Sequence, residues 1–413
     1  MPDTSRRRFL GGALGAAGLA AAGGAGFGVA RATERTGSSA HAEAVPFYGA
    51  HQAGIATPAQ DRLAFGAFDI TSRDKTAVQT MLARWAAAAA QLTRGEPVGA
   101  VDISPHAPPI DTGEAVGLPA SQLTITVGFG PTLFDDRFGL SRYRPAALAD
   151  IPPLPGDTLD PNRSGGDLCV QACANDPQVA FHVIRNFARL ARGTAVLRWS
   201  QLGFGRTSST STSQDTPRNL MGFKDGTNNI KAEDTRSFDE FVWVGAETDQ
   251  DWMRGGSYLV ARRIRMLIEN WDTDFLLDQE QVFGRFKTSG APLTGKSEFD
   301  TVNLAAKDGE GKPVIDLNAH IRLAAPATND GQKLLRRGYS YTDGIDPQTG
   351  LLDAGLFFIV FQKDPRTQFV PIQRRLGGHD LLNEYIRHTG SGLFAVPPGL
   401  AEAGDYFGKA LFA

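Results

Sequence analysis

The apolar and polar positions of this chain fall into short, well-separated patterns. Residues 63–70 alternate well enough for a β-strand, and residues 123–129 form a clearer one. Residues 75–92 read as a helix, with Val78, Met81, Leu82, Trp85 and Leu92 available for one buried face. A proline-rich loop covers 145–162. A strand over 168–174, a helix over 177–191 and a strand over 194–202 follow. Pro177 suits a first helical turn, where its missing N–H costs nothing. The order strand, helix, strand, strand, helix, strand predicts an α+β fold with an antiparallel sheet and helices on one face.

Residues 206–219 are polar and include Ser208, Ser209, Thr210, Ser211, Thr212 and Ser213. This composition predicts an exposed linker and places a domain boundary there. Beyond it, strands are expected over 238–244 and 257–268. A helix is expected over 273–283 with Asp272 as its N-cap. Residues 288–318 read as an irregular polar insert. A fully apolar strand covers 356–361, and helical stretches cover 370–376 and 381–386. The two halves are similar enough to hint at a duplicated fold, although no strong sequence repeat links them.

Composition narrows the function classes. At 413 residues, two domains are the default. Lys and Arg number 42 against 45 Asp and Glu, a net charge of −3, which argues against nucleic acid as a partner. Only two cysteines occur, Cys169 and Cys173, which excludes a disulfide scaffold and a Cys-rich metal site. Four residues apart on a strand, they are about 13 Å from each other, too far to bridge. They read as small apolar core residues.

The amino terminus reads as an address label. Ser5, three arginines from Arg6 to Arg8, Phe9 and Leu10 precede a weakly apolar run over 11–30 that holds eight glycines. The layout is that of a twin-arginine export signal. Glycine costs about 1 kcal/mol per helical position relative to alanine, so the run is a poor membrane anchor. Small residues at Ala40, Ala42 and Ala44 offer cleavage sites. The reading is a signal segment over 1–44, an exported protein in the periplasm or outside the cell, and no stable membrane insertion after cleavage. The twin-arginine route carries folded proteins, often with a cofactor already in place.

The candidate chemistry lies in the second half. None of the seven histidines falls in an H-x-x-x-H or H-E-x-x-H pair, so a zinc hydrolase is disfavoured. No G-x-S-x-G elbow or Walker A loop occurs. One notable segment is Met221-Gly-Phe-Lys-Asp225-Gly226-Thr227-Asn228-Asn229, where a turn can aim the Asp225 carboxylate at a cavity. An Asp-Gly turn is also common without any function. The second is His320-Ile-Arg322 followed by Leu335-Arg336-Arg337-Gly-Tyr-Ser-Tyr341. Here a histidine could ligate a metal while an arginine returns across the same cavity. Lone histidines are also ordinary core residues, and paired arginines ordinary surface residues.

Together these segments resemble the dye-decolourising peroxidase family. Gly222-Phe-Lys-Asp225-Gly226 looks like its G-x-x-D-G motif. The His320 and Arg336 segments, residues 47–55 and residues 388–399 are similar to the same family, so the resemblance runs from about residue 47 to 399. The export signal points to the branch that includes periplasmic deferrochelatase-like members. The resemblance implies two ferredoxin-like domains, 45–213 and 214–413, with haem b (iron protoporphyrin IX) in the second. By motif position, His320 would be the proximal iron ligand, with Asp225 and Arg336 on the distal face as the catalytic pair. Gly226, Thr227, Asn228, Ala325, Pro326 and Ala327 would line the haem. Related chains often carry Asn-Pro-Arg where this one has Ala325-Pro326-Ala327, so Arg322 or another basic residue would have to meet a propionate. Glu384 would be the carboxylate behind His320.

The function so implied is reduction of hydrogen peroxide and oxidation of dyes, phenols or similar small reductants through a ferryl intermediate. The alternative is a haem-handling protein of iron acquisition, similar to deferrochelatase. Self-association into a homo-oligomer is left open.

Overall fold

The computed structural model describes residues 44–102 and 104–412. The arginine run and apolar segment expected to form an export signal lie outside the described residues. Among the described residues, no helix is long and apolar enough to cross a membrane.

The first half consists of β1 (Arg62–Ile70), α1 (Lys75–Leu92), β2 (Thr124–Phe129), β3 (Leu168–Ala174), α2 (Pro177–Leu190) and β4 (Ala195–Arg206). Local signals start its helices. Asp74 accepts from the Thr76 N–H at 2.8 Å, and Asp176 accepts from Gln178 and Val179 with Pro177 in the first turn. The strands lie in the order β2-β3-β1-β4, all antiparallel. Period-two alternation splits β1 between two cores. Ala64 and Phe68 face the helices, where Trp85 stacks on Phe187. Leu63, Phe65 and Ala67 face the interior.

The second half holds α3 (Thr235–Phe241), β5 (Ser257–Met266), α4 (Ile268–Trp271), α5 (Leu276–Phe283) and α6 (His320–Leu323). It continues with β6 (Leu335–Arg336), β7 (Tyr339–Ile345), β8 (Leu352–Gln362), α7 (Phe369–His379), β9 (Ile386–Val396) and α8 (Lys409–Phe412). Its main strands run β7-β8-β5-β9, again antiparallel. Both halves therefore follow one plan, with the second, third, first and fourth strands side by side, as in a ferredoxin-like unit. Their edges meet where β4 pairs with β7 and β2 touches β9, which closes the sheet on itself. Phe65, Phe357 and Phe394 meet in the enclosed core. Cys169 and Cys173 are buried there as free thiols.

Four expectations are corrected. Residues 238–244 are not a strand. Asp234 caps the Ser237 N–H at 3.0 Å, and Phe238 and Phe241 bury one face of α3. The 273–283 helix begins only at Leu276, because Asp272 terminates the preceding α4. The Ser/Thr run is not an exposed linker. Ser208, Ser209 and Thr210 are buried, and backbone carbonyls take up the hydroxyls of Ser208 and Thr210. Residues 381–386 likewise split into a 3-10 turn, Leu381–Glu384, and the start of β9.

Candidate haem site

The first crossover of the second half, between β5 and β6, is long and carries α4, α5, the polar insert and α6. His320 is the first residue of α6. Its Nδ1 lies 2.6 Å from Oδ2 of Asp380, so Nδ1 carries the proton it donates to that carboxylate. Asp380 follows directly after α7 and caps the 3-10 turn through the Leu382 N–H at 2.9 Å, which fixes its second oxygen. Burial opposes protonation of His320, but the charge and hydrogen bond of Asp380 outweigh it and raise the imidazole pKa. About 32% of the His320 side chain stays open, and Nε2 makes no hydrogen bond among the described residues. This arrangement suits a metal ligand whose tautomer and direction are set from behind.

Arg336 sits on β6, whose pairing with β8 sets its direction. Successive side chains on a strand alternate, so its neighbour Arg337 turns the opposite way. Arg337 is fully buried on the Thr57 carbonyl and Gln60. The Nη1 of Arg336 donates to Oδ1 of Asp225 at 2.8 Å. Asp225 is held from both sides in its turn. Its N–H donates to the Pro217 carbonyl at 2.9 Å, and its Oδ2 accepts from Asn219 at 3.3 Å. Gly226 follows at φ +86°, and a Cβ there would meet the Cα of Ser208 at 2.7 Å. The buried serine run and the Asp225 turn therefore require a glycine between them. The charges of Asp225 and Arg336 reach the His320 ring in opposite senses, raising and lowering its pKa.

Several residues around this turn were not singled out from the sequence. Asn229 accepts from the Arg336 N–H at 2.8 Å and donates to the Arg336 and Ser209 carbonyls. It thus holds the Arg336 backbone as a neighbouring strand would. Its neighbour Asn228 is exposed, and its side chain makes no hydrogen bond among the described residues. Glu298, from the polar insert, pairs with Lys224 and accepts from Thr227 at 3.1 Å. Burial opposes its charge, yet hydrogen bonds from Lys224, Thr216 and Thr227 hold its carboxyl below the usual range. Lys231 lies within reach of Arg336, and burial followed by that charge pushes its ammonium pKa down.

Two sequence expectations change at this site. The carboxylate behind His320 is Asp380, not Glu384. Glu384 ends the 3-10 turn on the exposed side, four residues beyond the carboxylate that reaches the ring. Arg322 is occupied in holding the insert, donating to the carbonyls of Asp316, Leu304 and Ile315 at 3.0, 2.8 and 2.7 Å. Ala325, Pro326 and Ala327 enter the 3-10 turn that follows α6, and Asn329 fixes that turn on the Leu323 and Ala325 carbonyls.

The residues present fit a haem: an oriented imidazole with a free Nε2 and, within its electrostatic reach, a fixed carboxylate–guanidinium pair. Comparison with known proteins agrees. Residues 52–205 match the N-terminal model, and residues 216–401 the C-terminal model, of the Dyp-type peroxidases. The chain is 40% identical to the deferrochelatase of Escherichia coli K12 over 376 residues, covering 89% of this chain and 87% of that protein. A Yersinia pestis deferrochelatase is also 40% identical, over 371 residues, covering 89% and 84%. Among solved structures, DtpA from Streptomyces lividans matches with a TM-score of 0.83 at 43% identity, covering 91% of this chain and 99% of that one. A DyP-type peroxidase from Cellulomonas bogoriensis matches with 0.80 at 39%, covering 89% and 98%. The α+β fold, the arrangement of His320, Asp380, Asp225 and Arg336, and these matches identify one lineage: the chain belongs to the Dyp-type peroxidase family and is a haem-dependent peroxidase.

Proposed function

We propose that His320 ligates the haem iron through Nε2 and that Asp225 and Arg336 handle peroxide on the opposite face. The observation that carries this reading is the pair of dyads, His320–Asp380 and Asp225–Arg336, assembled from four separate stretches of chain. Haem b, when bound, supplies the iron at which hydrogen peroxide is reduced and the oxidising equivalents passed on to a reductant. Asp225 takes the proton of the incoming peroxide at Oδ2, whose only donor among the described residues is the long contact from Asn219. The same carboxylate returns that proton to the departing oxygen, which leaves as water. Arg336 holds Asp225 in place through Oδ1 and offers fixed positive charge to the oxygen that gains negative charge. Asp380 keeps the His320 ring in one orientation and one tautomer. Gly226, Thr227, Asn228, Ala325, Pro326 and Ala327 would line the bound group.

Within this reading, residues 45–213 form a supporting domain and 214–413 the haem domain, a division in keeping with the two family matches. The reductants are dyes, phenols and similar small molecules. The twin-arginine layout supports export to the periplasm or beyond, without stable membrane insertion once residues 1–44 are removed. Release of iron from haem is the second reading, favoured by relatives that carry the name deferrochelatase at 39–40% identity.

Purified with haem, the chain should show a Soret band and bleach a dye only when peroxide is added. His320→Ala should lose or weaken haem binding. Full turnover by that variant with haem normally bound would refute the ligand assignment. Recovery of iron with an intact porphyrin, without fast peroxide consumption, would favour the second reading.

A further inference from the structure

We propose that the groove between α2, the outer face of β4 and the loop over 108–112 binds a small aromatic anion, a carboxylate or sulfonate on one or two rings. This cavity is built entirely from the first half and shares no residue with the candidate haem site. Its volume is about 590 Å³, within the range typical of small-molecule sites.

The floor and walls are apolar. On β4 the bulge opposite Ala67 and Phe68 sets Leu197, Ser200 and Leu202 on the outer face. Leu197 is 39% and Leu202 55% exposed, unusual for leucines on a sheet face beside a helix. Phe181, 44% exposed, and Ile184 line the α2 side. Gly66 on β1 leaves this floor low, since a Cβ there would meet Leu197 at 3.1 Å and Ile184 at 3.4 Å. A flat ring can lie on these side chains and remove their surface from water.

The polar rim is cationic. Arg185, Arg189 and Arg192 of the α2 flank line the cavity. Arg185 already pairs with Glu114 at 3.2 Å, and Arg189 donates to the Pro109 and Ile110 carbonyls, keeping its charge. The guanidinium of Arg192 is exposed and forms no hydrogen bond or ion pair among the described residues. The one carboxylate lining the cavity, Asp111, is fully buried. Its oxygens accept from the Val98 and Gly113 N–H groups, and one lies 3.3 Å from the His182 ring. Positive charge thus stands beside an apolar floor, and the lining of the groove itself holds no exposed acid. Guanidinium groups both pair with carboxylate or sulfonate oxygens and stack on aromatic planes.

The far wall is held in place, so the cavity does not need to form on binding. Arg189 ties the loop to α2, and His182, set between Asp111 and Glu114 at 3.3 and 3.2 Å, ties it again two turns earlier. A hole of molecular size favours a small ligand, whereas a stable protein contact needs roughly 1,000 Å² or more of buried surface.

The test uses the haem-loaded full chain and 8-anilinonaphthalene-1-sulfonate, titrated by calorimetry because haem quenches its fluorescence. Saturable binding at one site is expected. Arg192→Glu and Leu202→Asp, both on exposed side chains, should each weaken it roughly tenfold or more. Leu277→Asp, on a separate exposed apolar stretch, should leave it unchanged. The uncharged N-phenyl-1-naphthylamine should bind several-fold more weakly. The proposal is overturned by no saturable binding up to about 1 mM, by an affinity in both groove variants unchanged from that of the unsubstituted chain, or by equal affinity for the uncharged analogue. It is also overturned if sedimentation shows the chain self-associating and Leu202→Asp dispersing it, since the groove would then be an interface between copies.

Discussion

The Nδ1 of His320 and the Oδ2 of Asp380, 60 residues apart in sequence, lie 2.6 Å from each other. One belongs to a four-residue helix in the first crossover of the second half, the other to the turn after the second crossover helix. Removing the carboxylate while keeping shape should weaken the electron donation that the ring can make to a bound metal. Asp380→Asn is therefore expected to raise the ferric/ferrous reduction potential and to lower haem affinity or turnover roughly 10–100-fold. Glu384→Gln should change neither. Potentiometry on the two variants separates the assignments.

Asp225 and Arg336 are expected to fail differently from His320. Asp225→Asn and Arg336→Leu should keep the Soret band, because neither is the candidate iron ligand. Both should slow the reaction with peroxide, by roughly 10²–10⁴-fold for loss of a positioned proton carrier. Stopped-flow absorbance at varied peroxide concentration reads this directly. Unchanged bimolecular rates in both variants would remove the pair from the mechanism.

Asn229 should matter where Asn228 does not. Asn229→Ala leaves the Arg336 N–H without its side-chain acceptor in a buried setting, while the Arg336 carbonyl keeps the Ser208 hydroxyl as a donor. A loss of about 2–3 kcal/mol is expected, with slower peroxide reaction as Arg336 shifts. Asn228→Ala, on an exposed side chain, should stay within about 0.5 kcal/mol. Chemical denaturation of the two variants provides the comparison.

Acid sensitivity should come in part from His388. Burial, helped by the Arg262 cation, pushes its imidazole from 6.5 down to about 3. Between those values the unfolded chain holds a proton that the folded chain does not, so stability falls as pH is lowered through this window. At pH 4.5 the penalty is about 2–3 kcal/mol. His388→Gln should flatten the acid limb of the stability curve, seen as a smaller drop in Tm between pH 7 and pH 4.5. An identical drop in both proteins would place the acid sensitivity elsewhere.

Much of the first half can be read residue by residue. The helix Lys75–Leu92 and the strand Leu168–Ala174 have the bounds their patterns predict, because caps and apolar spacing act within a few residues. The segments of Asp225, His320 and Arg336 stand out only together, through their resemblance to the family motifs, because an Asp-Gly turn, a lone histidine or an arginine pair is locally unremarkable. The errors share another origin. Phe238, Phe241 and Val242 satisfy strand and helix patterns alike, and it is the Asp234 cap with packing on one face that makes them α3. The run Ser208–Ser211 looks exposed until distant carbonyls and Glu233 receive its hydroxyls. Asp380 rather than Glu384, and the hold of Asn229 on the Arg336 backbone, follow from contacts spanning 60 and 107 residues. Nearest-neighbour chemistry fixes where a helix or turn begins. Which carboxylate reaches an imidazole depends on how the closed sheet brings remote crossovers together, and no local pattern records that distance.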